Sequence, residues 1–153
     1  MRLDKKEYKQ AVGCLLRYNY NCMNIINIRA DIMGVSVPEN DGMPKAPYSI
    51  SDSVYNQYIR LQEDKELQRS LKEYKAVMLA LKLVDDVSKG IFEEEFRKSK
   101  KRWQVINELS ISERTYERRK KALIYTVYKE LKKLAENWRN LIKKKSDRSH
   151  VVL

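Results

Sequence analysis

The chain has 153 residues, long enough for one domain, or two very small ones, with a real core. Charged residues make up 35% of it and Gly plus Pro only seven positions, a composition that favours helices over sheets. The net charge of +11 is segregated: residues 1–96 hold 14 Lys/Arg against 15 Asp/Glu, whereas residues 97–153 hold 18 against 6. A uniformly basic solvated surface would not divide this way, so the pattern points to a polyanion partner for the last third alone. The opening MRLDKKEYKQ leads into no apolar run with a cleavage site, and no stretch approaches a membrane span. A cytoplasmic protein without membrane contact is expected.

The first predicted element is a helix from about Asp4 to Met33. Tyr8, Val12, Leu15, Cys22, Ile26 and Met33 form one apolar stripe on it; Ala11, Leu15, Tyr18, Cys22, Ile25 and Ile32 form another, slightly rotated. Asn19 lies inside the first stripe and reads as a boundary residue. Cys14 and Cys22, eight apart on one helix, cannot pair with each other and are expected to be buried free thiols. Residues 34–53 gather Gly34, Pro38, Gly42, Pro44 and Pro47 and are expected to form a long loop.

From Ser53 to about Val87 the spacing of Val54, Tyr58, Leu61, Leu67, Leu71, Tyr74, Met78, Leu81 and Val84 predicts helix again. A break or bend is expected at Glu63–Glu66, and Ser88-Lys89-Gly90 as the end, with Gly90 as C-cap. A short helix IFEEEFRKSK follows, with Ile91, Phe92 and Phe96 inward and Glu93 to Glu95 outward.

Residues 102–121, RWQVINELSISERTYERRKK, then read as a helix-turn-helix. Val105, Ile106 and Leu109 would line its first helix, Ile111 the turn, and Tyr116 or Thr115 the second. Ser112 is the expected N-cap, its hydroxyl accepting from an otherwise unpaired amide of the first turn. Trp103 is expected in the core. A basic helix N-terminus after a tight turn is how such motifs enter the major groove. The alternative is an ordinary helical hairpin with a solvated basic face.

The second helix does not stop at Lys121. Ile124, Val127, Leu131, Leu134, Trp138 and Leu141 recur at heptad spacing. This seam serves either homodimerisation or packing against the N-terminal helix of the same chain. The end, KKKSDRSHVVL, reads as frayed. The expected fold class is therefore all-α: an N-terminal helix, a long central helix and a C-terminal helix-turn-helix with an extended recognition helix. The expected division is an N-terminal helical region over 1–66, a DNA-binding domain over 67–145, and a flexible tail over 146–153.

Nothing in the chain points to catalysis, a metal or a cofactor. The two Cys and His150 have no zinc spacing, there is no Gly-rich phosphate loop and no nucleophile elbow. Asp85-Asp86 and Glu93-Glu94-Glu95 read as solvated faces, since adjacent helical residues point apart.

Residues from about Leu71 to Leu134 resemble the sigma-factor-region-4-like domain of ArpU/RinA-type phage transcriptional regulators. The carrying residues are the helix Ala80-Leu81 to Val84, the aromatic helix ending at Phe96, Trp103 heading the next helix, and LSISERTYERRKKAL. The earlier GMPKAPYSISDS also looks like that family's linker. The resemblance implies a sequence-specific regulator of phage or prophage late genes in a bacterial host, often an activator. The resemblance further implies binding to promoter-proximal double-stranded DNA and leaves open direct contact with RNA polymerase. It places Ser112, Glu113, Arg114, Glu117, Arg118 and Lys121 at groove-facing positions. There Arg114 or Arg118 would pair with guanine O6/N7, and Glu113 or Glu117 would accept from cytosine N4. Lys100, Lys101, Arg102, Arg119 and Lys120 would contact the backbone. Two other functions fit a helical, basic chain: a DNA-packaging protein of the small-terminase kind, and a non-DNA adaptor that uses the heptad seam on another protein.

Overall fold

The computed structural model describes residues 2–33 and 49–150. Within them the chain is helical, with no strand: α1 (Lys5–Leu16), α2 (Tyr18–Met33), α3 (Ser49–Glu63), α4 (Lys65–Leu83), α5 (Asp86–Ile91) running into a π-helical segment (Phe92–Arg97), α6 (Arg102–Leu109) and α7 (Glu113–His150). The all-α expectation holds. The loop expected over 34–53 falls, for residues 34–48, outside the described residues; the helix after it already begins at Ser49.

The chain forms two compact units. Residues 19–71 form one; residues 1–18 and 72–153 form the other, so the N-terminal helix belongs with the helix-turn-helix rather than with the region that follows it in sequence.

In the unit of residues 19–71, Leu67 and Ile25 are buried, as are Asn21 and Ser70. Ser70 Oγ lies 2.9 Å from Asn24 Nδ2, and Glu66 accepts from the Tyr20 hydroxyl at 3.2 Å. The buried polar residue of this stretch is thus Asn21, whereas Asn19 is exposed. The expected break near Glu63–Glu66 is a single residue, Asp64, whose carboxylate accepts from Leu67 N at 2.8 Å and so caps α4.

The larger unit begins with a capped helix. Asp4 accepts from the amides of Lys6 (2.8 Å) and Glu7 (3.1 Å), and α1 buries Ala11, Cys14 and Leu15. The rotated stripe is therefore the core-facing one, while Tyr8 stays 42% exposed. The single helix expected from Asp4 to Met33 is broken at Arg17. Its guanidinium reaches Glu73 with two hydrogen bonds, of 2.8 and 3.1 Å, and lies over Gly13, where a Cβ would sit 2.9 Å from Nη1. A long-range ion pair ends this helix, and Gly13 leaves room for it. Tyr18 then stacks on Tyr74 and meets Phe92 edge-on, with centroids 5.6 and 5.0 Å apart.

Gly90 is not a C-cap. The preceding helix ends at Leu83, and Asp85 starts the next by accepting from Ser88 N at 3.0 Å. Gly90 lies inside α5, where a Cβ would meet Leu109 Cδ2 at 2.8 Å. Its small size sets the approach of α6. Ile91, Phe92 and Phe96 face inward as expected. Glu94 and Glu95 do not simply face water: Glu94 pairs with Lys98 (3.1 Å) and Lys100 (2.6 Å), and Glu95 with Lys120 (3.0 Å).

The heptad seam of α7 divides. Ile124, Val127 and Leu131 are buried where α1 packs against α7; Leu134 is half-buried, and Trp138 and Leu141 are exposed. The first three seam residues are thus buried within the chain itself. The helix persists to His150, past the point at which fraying was expected; residues 151–153 lie outside the described residues.

Candidate nucleic-acid interface

Residues 102–121 form the helix-turn-helix, which closes with α5 around a small apolar centre. Ile91, Val105 and Tyr116 are buried there, with Val87, Ile106, Leu109 and Ile111 packed against them. One residue from each of three helices fixes their crossing, and each is a residue that the apolar spacing singled out or a direct neighbour of one. Trp103 is the exception: it is 61% exposed and lies outside this core. Val105 fills the central position, and the indole projects from the first turn of α6 instead.

The turn is tightly specified. Ser110 has φ 51° and ψ 47°, the left-handed region. Its amide donates to Asn107 O at 3.2 Å, and the Ile111 amide donates to Ile106 O at 3.3 Å. That pair of bonds is a Schellman closure, usually built on glycine. Ser110 does the work of glycine at some conformational cost. Two residues on, Ser112 Oγ accepts from Thr115 N at 3.1 Å and lies 2.9 Å from Thr115 Oγ1, so Ser112 is the N-cap of α7, as expected. Its hydroxyl is occupied in that role.

Electrostatics divide the basic residues into two sets. Arg102 pairs with Glu117 at 2.7 Å and lies over the Tyr116 ring at 5.5 Å. Arg119 pairs with Asp85 at 2.9 Å, and Lys100 with Glu94 and Glu108. Hydrogen bonding to Lys100 and Lys98 holds the Glu94 carboxyl below its ordinary range, and the Ser88 hydrogen bonds, with Arg119 adding, do the same for Asp85. Lys120 is half-buried; desolvation lowers its pKa, but the Glu95 and Tyr116 hydrogen bonds outweigh this and raise it. Burial raises the Tyr116 phenol, and its 2.6 Å hydrogen bond to Glu95 adds to the shift. These four cations tie α7 and α6 to the helices beneath.

The second set is Lys101, Arg114, Arg118 and Lys121. All are exposed, and none makes an ion pair among the described residues. Arg114, Arg118 and Lys121 follow one another by four and three residues, which places them on one face of α7. Glu113 is exposed beside them, while Glu117 is held by Arg102. Of the eleven residues expected to face DNA, then, Lys100, Arg102, Glu117, Arg119 and Lys120 have intramolecular partners and Ser112 caps the helix. The structure also brings in residues not expected at this face: Arg2, Leu3 and, from the first apolar stripe of α1, Tyr8 lie beside Arg118 and Lys121. Arg2, a lone arginine before the first helix, had no periodicity to reveal it.

Among the described residues no cluster of metal-ligating side chains occurs, and no helix is long and apolar enough to cross a membrane. Both thiols are free, Cys14 buried and Cys22 half-buried. No curated protein and no solved structure matches the chain. A family model does match, over residues 18–129, a span that includes the whole helix-turn-helix, and the chain accordingly belongs to the family described as protein of unknown function DUF722.

Proposed function

We propose that the chain is a sequence-specific double-stranded DNA-binding regulator of the ArpU/RinA type, acting on phage or prophage late genes in the cytoplasm of a bacterial host, as an activator and without enzymatic activity. The observation that carries this reading is the uncompensated basic face at the start of α7, placed directly after a closed turn. The chain neutralises Lys100, Arg102, Arg119 and Lys120 internally and leaves Arg114, Arg118 and Lys121 exposed. A helix that presents such a face to a phosphate-lined groove gains by releasing condensed counterions. Arg114, on the first turn, is the residue best placed to reach guanine O6/N7.

The test is a titration of the purified chain against labelled duplexes from the intergenic regions beside its own gene, with random competitor, across a series of salt concentrations. Tight binding to one fragment that survives competitor is expected. With ~6 phosphate contacts, the log–log salt slope would lie near about −5. Arg114→Ala would relax the preference at one base position, at about 1–3 kcal/mol. Steeply salt-dependent binding indifferent to sequence would instead favour a packaging role of the small-terminase kind, and no salt-dependent binding would favour the adaptor.

A second component of the reading is a protein partner, either a second copy or RNA polymerase. It is favoured by Trp138, Leu141 and Ile142, each more than half exposed on the last turns of α7. Light scattering at several concentrations separates a monomer from a dimer or a ring.

A further inference from the structure

Alongside the second and third turns of α7 runs a groove of about 420 Å³, between that helix and the segment that leads into α1. Three cations line it: Arg2 from the leading segment, and Arg118 and Lys121 from α7. None of the three is in an ion pair among the described residues, and none of the lining residues is acidic. The rest of the wall is apolar or aromatic, formed by Leu3, Tyr8, Ala122, Ile124 and Tyr125. Lys129 Nζ lies 5.4 Å from the centre of the Tyr125 ring and adds a fourth positive charge at this wall.

We infer that this groove holds the sugar–phosphate backbone of one DNA strand, an inference that rests on the DNA-binding reading above. Two features select this occupant. Positive charge without any carboxylate suits a polyanion. A wall that combines cationic and apolar groups suits a ligand that itself combines anionic phosphate with the carbon faces of sugars, which a bare inorganic anion does not. Position agrees: Arg118 and Lys121 lie on the same face as Arg114, one and two turns further along α7, so a strand leaving the reading end of the helix passes into the groove. Arg118 and Lys121 are thereby backbone contacts, and Arg2 is a DNA contact contributed from outside the helix-turn-helix. Base reading falls to Arg114.

The experiment compares the full-length chain with Arg2→Ala, Arg2→Lys and Arg118→Ala by fluorescence anisotropy. Each is titrated with the best-bound duplex and with a random duplex of the same length, over a range of salt. Arg2 is exposed and precedes the capped first turn of α1, so thermal unfolding of both Arg2 variants should match the unaltered chain. Arg2→Ala is expected to make the salt slope shallower by about 0.9 and to weaken both duplexes by the same factor, about fivefold at ~0.15 M salt. Arg2→Lys should keep the slope. Arg118→Ala should behave as Arg2→Ala does. If the unaltered chain binds with a steep slope and Arg2→Ala copies it in affinity and slope, the groove assignment is overturned while the DNA-binding reading stands. A changed base preference at unchanged slope in Arg118→Ala would likewise overturn the backbone assignment. If the unaltered chain shows no salt-dependent binding at all, the DNA-binding reading falls, and the groove with it.

Discussion

The two halves of α7 carry one seam in two environments. Up to Leu131 the seam is buried, and Glu130 and Lys133 close its edge with a 3.3 Å ion pair. Past that point Trp138, Leu141 and Ile142 are exposed on a segment, residues 132–147, with six Lys/Arg and two Asp/Glu. The reason is length. α1 has 12 residues and α7 has 38, about 18 and 57 Å at ~1.5 Å per residue. A periodic stripe tells which side of a helix is adhesive; it does not tell how far the neighbour extends.

Mutation at equivalent seam positions tests this contrast most strongly. Leu131→Ala should cost about 2–4 kcal/mol in urea unfolding. Leu141→Ala should stay within about 0.5 kcal/mol. A larger cost at Leu141, with a midpoint that depends on protein concentration, would break the contrast and mean that a second copy covers the distal half.

Next in size is alkaline sensitivity, which should belong to the covered half because it comes from α1. Burial, with Glu73 adding to it, pushes the Cys14 thiol from 9.0 up to about 11. The folded state holds this proton more tightly than the unfolded chain. The resulting stability is complete below pH 9, declines as the pH rises through about 11, and amounts to about 2–3 kcal/mol. Cys14→Ala should flatten this limb of the pH–stability curve, and a native thiol titration should find Cys14 unreactive at neutral pH. Tyr116 and Lys120 are raised as well, so their contribution is lost above pH 10 in the same direction.

A smaller effect, about 1–2 kcal/mol, is expected for Glu95→Ala, which leaves the Tyr116 hydroxyl without its acceptor and the Lys120 ammonium with only that hydroxyl. Arg139→Ala, on the exposed half, should be close to neutral by the same unfolding measurement. Opposite in sign, Ser110→Gly should stabilise the fold by about 0.5–1 kcal/mol, because glycine adopts the left-handed conformation without strain. A destabilising result would mean that the serine side chain contributes to the turn.

Local chemistry made much of the fold legible. The apolar spacing of Val105, Ile106 and Leu109, the hydroxyl of Ser112 and the polar interruption near Asp64 each act within one or two turns of themselves, and each appears where sequence places it. Features set by distant partners were hidden. The break at Arg17 depends on Glu73, 56 residues away. Gly90 looked like a helix terminator, but its smallness answers to Leu109. Trp103 reads as core beside Ile106 and Leu109, whereas Val105 already fills the site. The division of the cations into paired and unpaired was equally hidden, since Arg118 and Arg119 are chemically identical and differ only in whether Asp85 lies opposite. Arg2 shares no periodic pattern with α7, and only the folded chain brings it beside Arg118.

α7 also acts as a ruler. Arg114 and Trp138 are 24 positions apart on one uninterrupted helix, about 36 Å at ~1.5 Å per residue. That span is close to the pitch of B-form DNA, about 34–36 Å. A partner docked at the indole would then lie about one helical repeat from the arginine, along one uninterrupted helix.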